Sequence, residues 1–166
     1  MKKISLVVPM YNESEMIPLF FEKMNEVLSQ IKNYNFEFVL VNDGSKDNTW
    51  NILEKLHERY SCVNCLKLSR NRGHQNAVMA GMMSAMDNCD CCITIDADLQ
   101  DDINAIDEMI DKYNNGCDIV YGVRSSRKKD KWFKKTTAQG FYKFMKFMGV
   151  DVVYNHADYR LTSKRV

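Results

Sequence analysis

At 166 residues, 45% hydrophobic and 11% aromatic, the chain permits one domain with a proper core. Its 23 basic residues nearly balance 22 acidic ones, for a formal net charge of +1, which excludes a global polyelectrolyte attraction to nucleic acid. No stretch approaches the roughly 20 apolar residues of a membrane span, and the apolar run after Lys2 and Lys3 reaches polar residues too soon for a signal peptide.

Strand and helix patterns alternate along the chain. Ile4 to Val8 reads as a buried strand, after which Ser14 is placed to cap a helix whose apolar positions are Met16, Leu19, Phe20, Met24, Val27, Leu28 and Ile31. Phe36 to Val41 is a second strand, and Asp47 or Asn48 opens a helix carrying Trp50, Leu53 and Leu56. A third strand is expected near Cys65 to Leu68, a helix over about Gln75 to Met86, and a fourth strand from Cys91 to Ile95. Ile103 to Tyr113 reads as a helix entered through Asp101 or Asp102 and stopped near Asn115-Gly116, with a strand from Asp118 to Val123. Such a series, with short right-handed crossovers, predicts a mostly parallel sheet covered by helices on both faces.

Charge is unevenly spread. Asp87 to Asp118 holds ten acids against Lys112 alone, whereas Arg124 to Lys146 holds nine bases against Asp130 alone. From Asp130 onward a helical wheel gathers Lys131, Lys135, Lys143 and Lys146 on one arc and Phe133, Phe141, Phe144, Phe147 and Met148 on the other. A lysine-rich helix with an aromatic face suits a bilayer interface; packing of the aromatics on the sheet, with the lysines in water, is the plain alternative. Six cysteines include the pairs Cys62-x-x-Cys65 and Cys89-x-x-Cys92. Each pair straddles a strand start, so strand alternation should turn its thiols to opposite faces, and small buried thiols in a reducing cytoplasm explain them better than zinc.

Polar chemistry gathers at the strand ends, where ligands bind in open α/β sheets. Strand one discharges into Pro9-Met10-Tyr11-Asn12-Glu13, strand two into Asn42-Asp43-Gly44-Ser45, strand three into Ser69 to Gln75, and strand four into Asp96-Ala97-Asp98-Leu99-Gln100-Asp101-Asp102. The first loop lacks the G-x-G-x-x-G turn of a dinucleotide fold, which disfavours nicotinamide chemistry. Asp96 and Asp98, two apart at a strand exit, can converge on one hard cation that bridges diphosphate oxygens. Capping accounts for the second pair of acids but not for the first. Asn12, Ser45 and Asp47 suit turns and caps better than Asp43 does.

These stretches, with Tyr121-Gly122-Val123-Arg124 and Ala157-Asp158-Tyr159-Arg160-Leu161, together resemble the family 2 glycosyltransferases of the Rossmann-like GT-A fold. More narrowly, the chain is similar to the polyprenyl-phosphate (dolichol-phosphate) glycosyltransferases, which move a sugar from a nucleotide diphosphate to a lipid phosphate. The resemblance implies a donor pocket from Pro9, Tyr11, Glu13, Val41, Asp43, Arg70, Asp96, Ala97 and Arg124. It implies Mg2+ or Mn2+ at Asp96 and Asp98 with Gln100 nearby, Asp98 and Asp158 as catalytic carboxylates, and Arg124, Arg127 and Arg160 as phosphate or acceptor contacts. Arg70 and His74 either touch substrate or pin their loop. The expected reaction is inverting transfer from UDP-glucose to a polyprenyl phosphate at the cytoplasmic face of a membrane. GDP-mannose as donor, a soluble glycan or cell-wall polymer as acceptor, and nucleotide-sugar binding without turnover are the alternatives. The resemblance further suggests that residues 1–166 form a single catalytic domain ending in the middle of the acceptor side.

Overall fold

The computed structural model describes residues 1–123 and 156–166. Strand and helix alternate through β1 (Lys2–Met10), α1 (Ile17–Gln30), β2 (Tyr34–Asn42), α2 (Thr49–Arg59), β3 (Val63–Lys67), α3 (His74–Met86), β4 (Cys91–Thr94), α4 (Ala105–Asn114) and β5 (Ile119–Val123), and the chain returns as β6 (His156–Ser163). The six strands form one sheet in the order β3-β2-β1-β4-β6-β5. β1 to β4 run parallel. β6 lies antiparallel between β4 and β5, so the expected parallel series is interrupted at the place where β5 would join β4.

Near-continuous apolar strands reflect burial on both faces. On one face Ile4, Leu6, Val8, Phe38, Leu40 and Ile93 meet Phe20, Met24, Leu53 and Ile106 from α1, α2 and α4. The other face carries Val7, Val39, Val41 and Cys92 beneath α3. Ala77, Gly81 and Ala85 form a small-residue stripe at a spacing of four along α3, so the helix lies close on the sheet. A Cβ on Gly81 would stand 2.5 Å from Val7 Cγ1 and 2.8 Å from Val41 Cγ2. This seat fixes where the N-terminal end of α3 emerges over the strand ends. On β5, Gly122 makes room for Tyr159, whose Cδ1 would be 2.5 Å from an added Cβ, and the β5–β6 register shifts between Tyr121 and Val123.

Element boundaries differ from expectation for local reasons. α1 starts at Ile17 with Pro18 in its first turn, Met16 before it and no side-chain cap; the Met16 and Ile17 amides turn back to the Glu13 carbonyl, so Ser14 lies in the turn ahead of the helix, its own amide held by Asp47. Asn104, rather than Asp101 or Asp102, precedes α4; Asp102 accepts the Asn104 amide at 3.0 Å in an Asx turn. β4 ends at Thr94, one residue short of the expected Ile95, and Asp96 lies just beyond it. Cys89 also lies outside β4, so alternation does not separate it from Cys92, and the two buried sulfurs stand 3.4 Å apart. Among the described residues no helix is long and apolar enough to cross a membrane. The basic amphipathic segment, with Arg124 and Arg127, lies outside the described residues.

Candidate donor and acid site at the strand ends

Two loops at the sheet's C-terminal edge are stitched to each other. The Asn12 amide donates to Ser45 Oγ at 3.0 Å, Lys46 donates its amide to Asn12 Oδ1 at 2.9 Å, and the Glu13 amide reaches Thr49 Oγ1 at 2.9 Å. Asp47 receives the Ser14 amide at 3.2 Å and the Thr49 amide at 3.1 Å. Asn12 takes a left-handed conformation, φ 56°, which its short amide tolerates. Burial works to raise the Asp47 pKa, but hydrogen bonds from the Thr49 and Ser14 side chains, with those from their amides, outweigh it and bring the carboxyl down to about 2. Asn12, Ser45 and Asp47 therefore serve the loops, as their turn chemistry suggests.

The third loop is pinned to the second. Buried Asp43 accepts the Arg72 amide at 2.7 Å and the Gly73 amide at 2.9 Å, one on each oxygen. Gly44 passes beneath this loop at φ +65°, and an added Cβ would lie 2.4 Å from the Arg70 carbonyl carbon and 2.5 Å from the Asn71 nitrogen. Only glycine meets both demands.

The loops enclose a cavity of about 320 Å³. Of the residues singled out from the sequence, Pro9, Tyr11, Glu13, Asp43, Asp96, Ala97 and Asp98 line it, together with Met10, Asn71, Gly73, His74 and Ala77. Val41 is not in the lining but buried beneath α3 against Gly81, and Arg70 and Gln100 are exposed and also outside the lining. His74 is in the cavity wall and Arg70 is not, which separates two residues that the sequence treated alike.

Acids crowd the opposite wall. Burial raises the Asp96 pKa; His74 works against it, and Asp98, Asp101 and Asp158 push it further up. Glu13 is likewise raised by burial and by the neighbouring charges of Asp98, Asp47 and Asp96. Asp98 Oδ1 accepts the Gln100 amide at 3.0 Å, and Leu99 between them has φ 56°, so the loop after Asp96 is tightly turned. Asp158 does not itself line the cavity: β6 brings it beside this wall through its pairing with β4, in which Thr94 lies opposite Arg160 and the Thr94 hydroxyl donates to the Asp158 carbonyl. His74 Nε2 is 3.2 Å from Asp158 Oδ2 and its Nδ1 is 3.8 Å from Asp96 Oδ1, so one imidazole spans the gap between the two carboxylates. Gln75 Nε2 donates to Asp158 Oδ1 at 3.2 Å. Arg160, two residues on and on the same strand face as Asp158, keeps a buried Nε with no hydrogen-bond partner among the described residues.

The acid wall fits a divalent cation of a particular kind. No group of three or more His, Cys, Asp or Glu side chains among the described residues makes a self-sufficient metal centre. Asp96 and Asp98 together offer the one or two carboxylates with which Mg2+-type sites hold an ion whose other ligands are water and substrate phosphate. A cation there would also offset the neighbouring negative charges that add to burial in raising Asp96 and Glu13.

The family model for glycosyl transferase family 2 matches residues 5–166. The uncharacterized glycosyltransferase YkoT of Bacillus subtilis is 45% identical over 167 residues, covering 98% of this chain and 50% of that protein. The prophage bactoprenol glucosyl transferase homolog of Escherichia coli is 41% identical over 165 residues, covering 99% of this chain and 53% of that protein. The chain thus spans about half the length of these curated relatives. Among solved structures, glucosyl-3-phosphoglycerate synthase from Mycobacterium tuberculosis, in complex with Mn2+, UDP and phosphoglyceric acid, shares the fold with a TM-score of 0.65 at 14% identity, covering 99% of this chain and 56% of its own.

Proposed function

The chain belongs to glycosyl transferase family 2, and we propose that it is the catalytic domain of an inverting enzyme that transfers glucose from UDP-glucose to a polyprenyl phosphate with a divalent cation. The observation that carries this reading is the cavity that Asp96 and Asp98, from the β4 exit, share with Tyr11, Glu13 and Asp43 from the stitched loops, with Asp158 of β6 held just beside it through His74.

The donor side has groups suited to a nucleoside. Tyr11 is 40% exposed at the cavity, where its ring offers a face for a base. Glu13 and Asp43 accept hydrogen bonds from base N–H or ribose hydroxyls. Each Asp43 oxygen already holds one backbone amide and retains a second lone-pair site. Asp96 and Asp98 would hold the cation, which when bound supplies charge stabilisation to the leaving diphosphate.

The chemistry then requires an acceptor oxygen behind the anomeric carbon. That oxygen forms the new bond to carbon as the bond to the nucleotide diphosphate breaks, and the electron pair leaves with the diphosphate. A phosphate monoester has a second pKa of about 6 and is mostly dianionic at pH 7, so Asp158 need not remove a proton. Its role is to orient the acceptor or to stabilise positive charge developing at the sugar. The unpartnered Arg160 Nε supports an anion on the same side. Glucose and a lipid phosphate are favoured by the likeness to bactoprenol glucosyl transferases, and such an acceptor would bring the domain to a membrane surface at its cytoplasmic face.

Calorimetric titration with UDP and GDP, each with Mn2+, Mg2+ or EDTA, tests the donor site. Cation-dependent binding of UDP is the expected result; tighter binding of GDP would overturn the choice of base, and no binding of either would overturn the donor site. Transfer of radiolabel from UDP-glucose to undecaprenyl phosphate in detergent tests the reaction. Label appearing only in water-soluble acceptors would overturn the lipid assignment.

A further inference from the structure

We infer that His74, with Gln75 beside it, is a positioning residue that fixes the Asp158 carboxylate relative to the donor side of the cavity. The inference rests on the proposed placement of Asp158 beside the reacting centre.

Asp158 sits near the start of an antiparallel strand with its side chain 41% exposed. Its backbone is anchored by the Thr94 hydroxyl on its carbonyl. That bond leaves the carboxylate free to rotate. The described contacts that hold the carboxylate come from the first two residues of α3: Gln75 Nε2 on Oδ1 and His74 Nε2 on Oδ2, both at 3.2 Å. An ionised carboxylate only accepts hydrogen bonds, so the imidazole nitrogen facing it donates. Two donors from one helix turn, one on each oxygen, define the plane of the carboxylate.

The donors themselves stand on a fixed base. α3 is pressed onto the sheet at Gly81, and the two residues that lead into it are tied to the end of β2, because the Arg72 and Gly73 amides bind Asp43, the residue after that strand. Asp43, Gly73, His74 and Asp158 thus form a short chain of contacts from the proposed base pocket to the proposed acceptor side. The His74 ring also keeps Asp96 and Asp158 apart, with Nδ1 3.8 Å from Asp96. A displacement of about 1 Å in a reacting group can cost on the order of a hundredfold in rate.

Long-range 1H–15N NMR of the imidazoles of His57, His74 and His156 reads the contact without needing turnover. The expected result is a His74 ring protonated at Nε2, whose nitrogen shifts move in Asp158→Ala while those of His57 do not. Unchanged His74 shifts in Asp158→Ala would overturn the inference. In transfer assays, His74→Ala is expected to lower kcat about 10- to 100-fold with the donor KM within about twofold of wild type. His74→Gln, which can place an amide nitrogen where Nε2 stood, is expected to recover most of that loss. Undiminished kcat in His74→Ala, or a loss confined to donor KM, would overturn the positioning role. Wild-type protein that binds no nucleotide and transfers no sugar would refute the proposed function instead, and the NMR comparison would still decide whether His74 holds Asp158.

Discussion

The two walls of the cavity are built on opposite plans. On the wall formed by the β1 and β2 exits, Asn12, Ser45, Asp47 and Thr49 are engaged with backbone amides of the neighbouring loop. On the wall formed by the β4 exit, Asp96 and Asp98 lie together, and Asp158 of β6 stands close enough to raise Asp96 further, with His74 between Asp96 and Asp158. The first wall is a frame in which these four side chains are taken up by loop amides, while Glu13 and Asp43 line the cavity. The second concentrates negative charge that no side chain of the frame neutralises, and under the proposed function a cation would meet that charge. Binding geometry and binding energy are thereby assigned to different residues, and each wall can be attacked separately.

The largest effect is expected on the acid wall. Asp96→Asn should abolish cation-dependent nucleotide binding and reduce transfer at least about a hundredfold, since a Lewis-acid cation contributes several kcal/mol to the transition state. Thermal stability should not fall. The raised pKa of Asp96 means that its ionised form is disfavoured in the folded protein, so a neutral amide removes a cost at pH 7. Calorimetry paired with thermal unfolding checks both; a large drop in the unfolding midpoint would mean that the acid wall is structural and the contrast is wrong.

The frame should fail in the opposite manner. Gly44→Ala places a methyl group on the Arg70–Asn71 peptide at a positive φ, with an expected loss of about 2–4 kcal/mol from strain and overpacking together. Denaturant unfolding measures this. Nucleotide binding should weaken because the loop held by Asp43 shifts, yet the cation requirement should persist. A fully stable Gly44→Ala variant would show that the loops are free to separate.

Much of this contrast is legible in the chain. Apolar runs ending in Tyr11 to Glu13, Asp43 to Ser45 and Asp96 to Asp98 locate the edge of the sheet, because buried parallel strands and their polar exits leave strong local patterns. The place of β6 is not local: Thr94 pairs with Arg160, far along the chain. Tyr159 and Leu161 alternating with Asp158, Arg160 and Thr162 carry a period-2 signal for a strand, yet nothing in the alternation says that it inserts between β4 and β5. His74, expected in the loop before α3, is instead the first residue of that helix, and its partner Asp158 comes from β6, so its bridging position exists only once α3 and β6 meet. Helix starts moved for equally specific reasons: Asp47 takes the Ser14 amide ahead of α1, and Gly73 at φ 88° opens α3 one residue early.

Smaller changes probe single stitches of the frame. Thr49 is fully buried and its hydroxyl accepts the Glu13 amide; Thr49→Val should cost about 1–3 kcal/mol, because an amide is left without its acceptor. Asp47→Asn should have the smallest effect and a distinctive pH dependence. The Asp47 pKa falls from 3.8 to about 2 on folding, so the unfolded chain binds its proton more readily than the folded one does. Its contribution to stability is therefore fully present above pH 3.8 and is lost as the pH falls through about 2. The stability difference between wild type and Asp47→Asn should be constant near neutral pH and shrink across that acid window, as read by urea unfolding at a series of pH values. A difference that does not change with pH would mean that an amide oxygen holds Ser14 and Thr49 as well as the carboxylate does, and that the frame depends on hydrogen-bond geometry rather than on charge.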